Sequence, residues 1–187
     1  MQKELLNYLK KSGSLLKGHF LLSSGLHSAH YVQCALALKN PAMAENLGKN
    51  LAELWRGEKP EIIVSPAMGG MIIGHETARA FNVEFIFTER EDGRMRLRRG
   101  FEIKTQAGVL IVEDVFTTGK STMEVYEVVK VGGGIVLGAL SIINRMSGKK
   151  FYFPHRSLLN LDIENHAPEE CPLCKKKIPL VKPGSRK

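Results

Sequence analysis

Apolar residues follow two rhythms along this chain, one helical and one continuous. Leu5, Leu6 and Leu9 recur at helical spacing until Gly13, which predicts a short amphipathic helix at the start. Residues 20–22 and 30–34 read as short strands on either side of the Ser23-Ser24-Gly25 turn. Asn40-Pro41 predicts a second helix, a cap followed by proline at the first helical position. Ala44, Leu47, Leu51 and Leu54 line one face of it up to Gly57. Continuous apolar runs then take over, predicting strands at 62–65, 83–88, 109–113 and 135–144, with helices at about 71–80 and 121–131. Runs such as IIV, VLIV and IVLGALSII suit strands buried on both faces, the pattern of a parallel sheet covered by helices. The predicted class is α/β, with a central, mainly parallel sheet. In such sheets ligands sit at the carboxyl ends of the strands, so the loops after residues 65, 88, 113 and 144 are the ones to search.

Composition narrows the partners. Hydrophobic residues at 43% and charged residues at 25% are ordinary for a globular protein, and 187 residues suit one domain with a small appendage. The net charge is +8, but six basic residues (Lys175, Lys176, Lys177, Lys182, Arg186, Lys187) and no acid lie beyond Cys171. The rest of the chain is nearly balanced, which argues against a nucleic-acid partner and leaves small phosphorylated anions as ligands. No run reaches the roughly 20 apolar residues of a membrane span. Three cysteines are too few for a disulfide framework, so a cytoplasmic setting is expected. The opening MQKELLNYLKKSG lacks the apolar stretch of a signal peptide.

The densest chemistry lies in VLIVEDVFTTGKS, residues 109–121. A buried strand is followed by Glu113 and Asp114, then by Thr117, Thr118, Gly119, Lys120 and Ser121 leading into a helix. Backbone amides at a helix start, with hydroxyls and a glycine that admits close approach, cradle a phosphate dianion. Carboxylates accept hydrogen bonds from sugar hydroxyls, so acids and cradle together fit one ribose 5-phosphate. A plain core strand with a capped helix leaves the two adjacent acids unexplained. A nucleotide-triphosphate P-loop requires glycine where Asp114 stands.

This segment resembles the ribosyl diphosphate signature of the type I phosphoribosyltransferases. The resemblance implies their fold, with a small hood over the base site, and 5-phosphoribosyl 1-diphosphate as donor. Glu113 and Asp114 then take the ribose hydroxyls, and residues 117–121 take the 5-phosphate. Further segments resemble the orotate phosphoribosyltransferases. FLLSSGLHS at 20–28, followed by Tyr31, is similar to the hood motif. SPAMGG at 65–70, with Gly69 and Gly70, is similar to the pyrophosphate loop. TEREDGRMRLRRG at 88–100 is similar to the mobile catalytic loop, with Arg90 as its leading arginine and Arg94 and Arg98 beyond. Arg145, at the end of the last strand, stands where the family sets an arginine against the orotate carboxylate, a task that suits its forked guanidinium.

The resemblance therefore implies transfer to orotate in pyrimidine biosynthesis. Orotate would meet Thr117, Arg145, Ser23 and Tyr31; Mg2+ would be held mainly through the substrate, and a homodimer would be the working unit. Ser23 replaces a lysine common in the family, and Met68-Gly69 replace tyrosine and lysine. Residues 1–170 are expected to form one domain, with the hood mainly from 1–35 and a C-terminal contribution left open. Residues 171–187 are expected to be a basic tail. Plainer readings stand beside several of these segments: a polar turn at 20–28, a solvated charged hairpin at 88–100 and a surface ion pair at Arg145. A purine or uracil phosphoribosyltransferase would share the donor loop, and a nucleotide-sensing, RNA-binding regulator could share the fold. Cys171 and Cys174 form half a zinc site, with His155, His166 or a partner chain as the expected source of further ligands. The plainer expectation is a reduced, unliganded pair in a surface tail.

Overall fold

In the computed structural model, which describes residues 2–22, 24–146, 148 and 150–183, the opening leucines behave as their spacing predicts. Helix α1 (Gln2–Lys11) buries Leu5 and Leu9 one turn apart, and the Tyr8 hydroxyl donates to the carbonyl of Ala37 at 2.8 Å. Strand β1 (Leu15–Leu21) pairs antiparallel with β2 (His27–Val32), with an irregularity between Lys17 and Phe20. The expected strand at 30–34 is corrected at its end. Cys34 opens the short helix α2 (Cys34–Leu38), where the Leu36 amide turns back onto the Gln33 carbonyl at 3.1 Å.

Helix α3 (Pro41–Leu54) starts where Asn40-Pro41 requires, with the Asn40 side chain accepting from the Met43 amide at 3.2 Å. Then follow β3 (Ile62–Pro66), α4 (Gly70–Phe81), β4 (Glu84–Glu91), β5 (Arg94–Leu97), β6 (Gly108–Phe116), α5 (Lys120–Val131), β7 (Ile135–Asn144) and β8 (His155–Asn160). Six strands form one sheet in the order β5-β4-β3-β6-β7-β8. Every pairing in it is parallel except β4 with β5. On one face Val64, Val109 and Ile111 pack with Val125 and Val129 of α5, and α4 lies against β3 and β6 with α3 beside it. Cover on both faces is why these strands read as unbroken apolar runs.

After β8 the chain adds β9 (Asn165–His166), antiparallel to β2. A single 3-10 turn (Pro168–Glu170) and the short helix α6 (Pro172–Lys175) follow. Two compact units result, Met1–Ala37 with Asp162–Lys187, and Leu38–Leu161. Of the segment expected as a surface tail, residues 172–183 are largely exposed, but its start is not. Cys171 is fully buried, and Val181 runs alongside β1, its amide donating to the His19 carbonyl and its carbonyl accepting from the Leu21 amide, both at 2.9 Å. Ile178, Leu180 and Val181 are themselves exposed, so backbone pairing with β1, not apolar burial, ties this stretch down. Arg186 and Lys187 lie outside the described residues. Among the described residues no helix is long and apolar enough to cross a membrane.

Candidate active site

Because β3, β4, β6 and β7 are parallel, their carboxyl ends share one edge of the larger unit's sheet. The acids are in the ladder itself, not beyond it: β6 continues to Phe116, and Glu113, Val115 and Phe116 pair with Ser141, Ile143 and Asn144 of β7. Glu113 is buried, and its Oε1 accepts from the Asp114 amide at 3.1 Å. Asp114 is half-buried, its Oδ1 accepting from the Val115 amide at 2.8 Å. Burial pushes the Glu113 carboxyl well above the ordinary carboxylate range, and the neighbouring Asp114 pushes it further. The pair thus resists carrying two negative charges until hydrogen-bond donors or a cation arrive.

Gly119 joins strand to helix at φ 80°, a left-handed conformation that glycine adopts without a steric penalty. A β-carbon there would also come within 2.7 Å of the Phe151 ring. Gly119 has no side chain to cap α5, while the Thr118 hydroxyl accepts from the Lys120 amide at 3.3 Å. Thr117, Thr118 and the Lys120 side chain are exposed around this helix start, where amides and dipole together favour an anion. A hollow of about 430 Å³ opens beside Thr118, bounded by Met123, Met146 and Phe151. Another, of about 490 Å³, lies by Trp55, Val136 and Pro154, at the amino ends of the strands and away from these groups.

The glycine pair from the sequence closes on the same strand. A β-carbon on Gly69 would stand 3.0 Å from both carboxylate oxygens of Asp114, and one on Gly70 would stand 2.9 Å from the Val112 carbonyl. Arg145 is half-buried directly after β7, and its amide donates to the Phe116 carbonyl at 2.8 Å. It therefore sits across from the start of the Thr117 loop.

Residues 88–100, expected as a mobile loop, are in large part a β-hairpin. Asp92 and Gly93 both have positive φ, the two-residue turn that suits twisted strands. Arg90 donates to the Gly93 carbonyl at 2.7 Å and pairs with Glu124 of α5, one turn beyond Lys120. Arg98 approaches Glu91 at 3.4 Å, and Arg94 stands exposed opposite Glu91 in the hairpin. Arg90 is thus brought to helix α5, whereas Arg98 is held by its own hairpin. In the smaller unit, Tyr31 packs its ring 5.8 Å from Phe20, and Ser23 lies outside the described residues.

Three residues were missed by sequence reasoning. The Ser65 hydroxyl near the carboxyl end of β3, and the Thr88 hydroxyl where the parallel pairing of β3 with β4 ends, are buried with no hydrogen-bond partner among the described residues, and such groups normally find one. A hydroxyl closing an otherwise apolar strand was their signal. Glu124 pairs with Arg90 from 34 positions away, and nothing local marks it.

Phosphoribosyl transferase domains match residues 36–172. The chain belongs to this family. It is 49% identical over 189 residues to the orotate phosphoribosyltransferase of Caldanaerobacter subterraneus subsp. tengcongensis, covering 100% of both chains. It is 47% identical to that of Caldicellulosiruptor saccharolyticus, covering 100% of this chain and 99% of the relative. Among solved structures, the Mycobacterium tuberculosis H37Rv orotate phosphoribosyltransferase in complex with Fe(III) dicitrate superposes with a TM-score of 0.67 at 21% identity, over 86% of this chain and 96% of that one. That likeness extends to the fold. The phosphoribosyltransferase fold expected from the sequence, with its mainly parallel sheet flanked by helices, is borne out.

Proposed function

We propose that this chain transfers the 5-phosphoribosyl group of 5-phosphoribosyl 1-diphosphate to orotate, giving orotidine 5'-phosphate and pyrophosphate in pyrimidine biosynthesis. The observation that carries this is the single constellation at the ends of β6 and β7: an acid pair, an anion cradle and, one hydrogen bond away, Arg145. The relatives sharing nearly half of its residues over its full length bear the orotate phosphoribosyltransferase name, which supports the same acceptor.

In this reading Glu113 and Asp114 accept hydrogen bonds from the ribose hydroxyls, and the first turn of α5, with Thr117, Thr118 and Ser121, binds the 5-phosphate. The Gly69-Gly70 amides face the diphosphate. A ring nitrogen of orotate attacks the anomeric carbon, the bond to the diphosphate oxygen breaks with its electrons leaving on pyrophosphate, and the proton of the ring N–H passes to that pyrophosphate or to water. Cationic side chains at the diphosphate stabilise that charge where it develops. Arg90 reaches it by exchanging Glu124 for the substrate, with Arg94 and Arg98 following as the hairpin moves, and closure excludes water. Arg145 binds the orotate carboxylate through two parallel hydrogen bonds, with Thr117 beside it.

Magnesium would be held mainly through the donor's own phosphate oxygens, beside the carboxylates of Glu113 and Asp114, and when bound would neutralise charge at the diphosphate. A homodimer is part of the proposal, because hairpin arginines acting across subunits would complete each site. Mixing an Arg94→Ala chain with a Lys120→Ala chain tests this: activity regained in hybrids supports sharing, and none regained argues against it.

The deciding experiment supplies magnesium and donor with orotate, uracil, adenine or hypoxanthine in turn and follows nucleotide formation. Orotate alone is expected to be consumed. Turnover of uracil or a purine without orotate would overturn the acceptor assignment.

A further inference from the structure

The smaller unit contains a polar cluster for which phosphoribosyl transfer has no use. His19 on β1, His27 on β2, Cys171 just before α6 and Cys174 within it each turn one donor atom to a common point, all four atoms lying within 4.8 Å of one another. His19 Nε2 is 3.0 Å from His27 Nδ1, 3.5 Å from Cys171 Sγ and 3.7 Å from Cys174 Sγ. Cys174 Sγ is 3.2 Å from His27 Nδ1. Zn–N bonds of about 2.0–2.1 Å and Zn–S bonds of about 2.3 Å, arranged tetrahedrally, set ligand atoms roughly 3.3–3.8 Å apart. These four separations fall within a few tenths of an ångström of that range, and the remaining two stay within 4.8 Å.

The hydrogen bond on the outer nitrogen of His19 points the same way. Its Nδ1 lies 2.8 Å from the Ile178 carbonyl, which can only accept, so Nδ1 donates there and Nε2 is the nitrogen that faces the cluster. A backbone carbonyl on the outer nitrogen is the usual second partner of a metal-bound histidine. The Cys171-Pro172-Leu173-Cys174 spacing puts both sulfurs on one turn, closed by the Lys175 amide on the Cys171 carbonyl at 3.2 Å. His19, His27 and Cys171 are buried, where such groups are costly without partners.

We propose that His19, His27, Cys171 and Cys174 bind one structural zinc ion. Two thiolates and two imidazoles select zinc over magnesium or calcium. With all four positions filled by protein the site is closed, which marks it as structural rather than catalytic. The ion cross-links β1, β2 and the C-terminal segment, chain regions separated by up to 155 positions. A unit with so little apolar core gains most from such a staple. Neither expected histidine supplies a ligand: His155, on β8, packs its ring 5.2 Å from Phe151, and His166 approaches Glu164 at 3.8 Å.

The test is metal analysis of the full-length protein, purified without a histidine tag or chelator, together with cobalt substitution. One zinc per chain is expected. Cobalt should give the visible bands of a tetrahedral site with sulfur-to-cobalt charge transfer. His27→Ala and Cys174→Ser are expected to lose the ion, whereas His155→Ala keeps it. Should those variants fail to fold, the wild-type chain still decides. Chelation that releases one zinc, exposes two thiols and strips amide protection from β1 and β2 supports the site. Protein isolated with far less than one zinc per chain and giving no cobalt spectrum overturns it, as does a Cys171–Cys174 disulfide in protein kept under reducing conditions.

Discussion

The two units solve the problem of cohesion differently. In the larger one, β3, β6 and β7 bury Ile63, Val64, Leu110, Ile111, Leu140, Ile142 and Ile143 completely, and the polar groups at their carboxyl ends are left for a ligand. In the smaller one the large buried apolar side chains are few, Leu5, Leu9, Phe20 and Ile163 among the described residues, and they share the interior with Ser14, His19, His27, Ser28 and Cys171. A polar group is therefore a different kind of object in each: chemistry where the core is sufficient, cohesion where it is not.

That contrast can be attacked from several directions. The largest effect is expected from Leu110→Ala, which removes a fully buried side chain and should cost about 2–5 kcal/mol in denaturant unfolding, with or without a chelator present. A loss that appears only after chelation would mean that the larger unit does not stand on its own core. Arg145→Leu comes next. Losing charged hydrogen bonds worth about 1.5–3 kcal/mol should lower kcat/KM for orotate roughly 10- to 150-fold and leave the thermal midpoint nearly unmoved. A midpoint that drops as far as for Leu110→Ala would show Arg145 to be structural.

Asn40→Ala, which deletes the α3 cap, should cost about 1 kcal/mol and leave the zinc content unchanged. Glu113→Gln should have the smallest effect on stability, but its sign is informative. Burial raises the Glu113 carboxyl, so the folded protein holds that proton at pH values where the unfolded chain has released it. The stabilisation is complete below the ordinary carboxylate range and is lost as pH rises through the raised value. The variant should therefore melt higher than wild type at neutral pH and alike near pH 4, while turnover falls. A lower midpoint at neutral pH would mean that the carboxylate is ionised and paired in the free protein.

Much of the larger unit was legible because its information is local. Buried parallel strands announce themselves as apolar runs, and residues 113–121 carry both acids and the phosphate cradle on consecutive positions. Strands β5 and β8 were not legible. RMRL and HRSLLN sit at the sheet's two edges, where charge is tolerated and only pairing with a neighbour makes a strand. The Arg90–Glu124 pair and the His19–Cys171 approach share a harder obstacle. Both join residues far apart in sequence, so no window of the chain contains them. The CxxC could be read as half a site, but which histidines complete it depends on the pairing of β1 with β2 and on the course of the last segment back toward β1.

The register of β6 has an evolutionary consequence. Glu113 sits inside a ladder bonded to β7, whereas Arg145 is the first residue beyond that strand. On the reading proposed above, recognition of the donor is thus written into the part of the fold least able to vary, and recognition of the acceptor into a residue just outside it. Descent with a fixed sugar donor and an exchangeable base is the kind of diversification this arrangement allows.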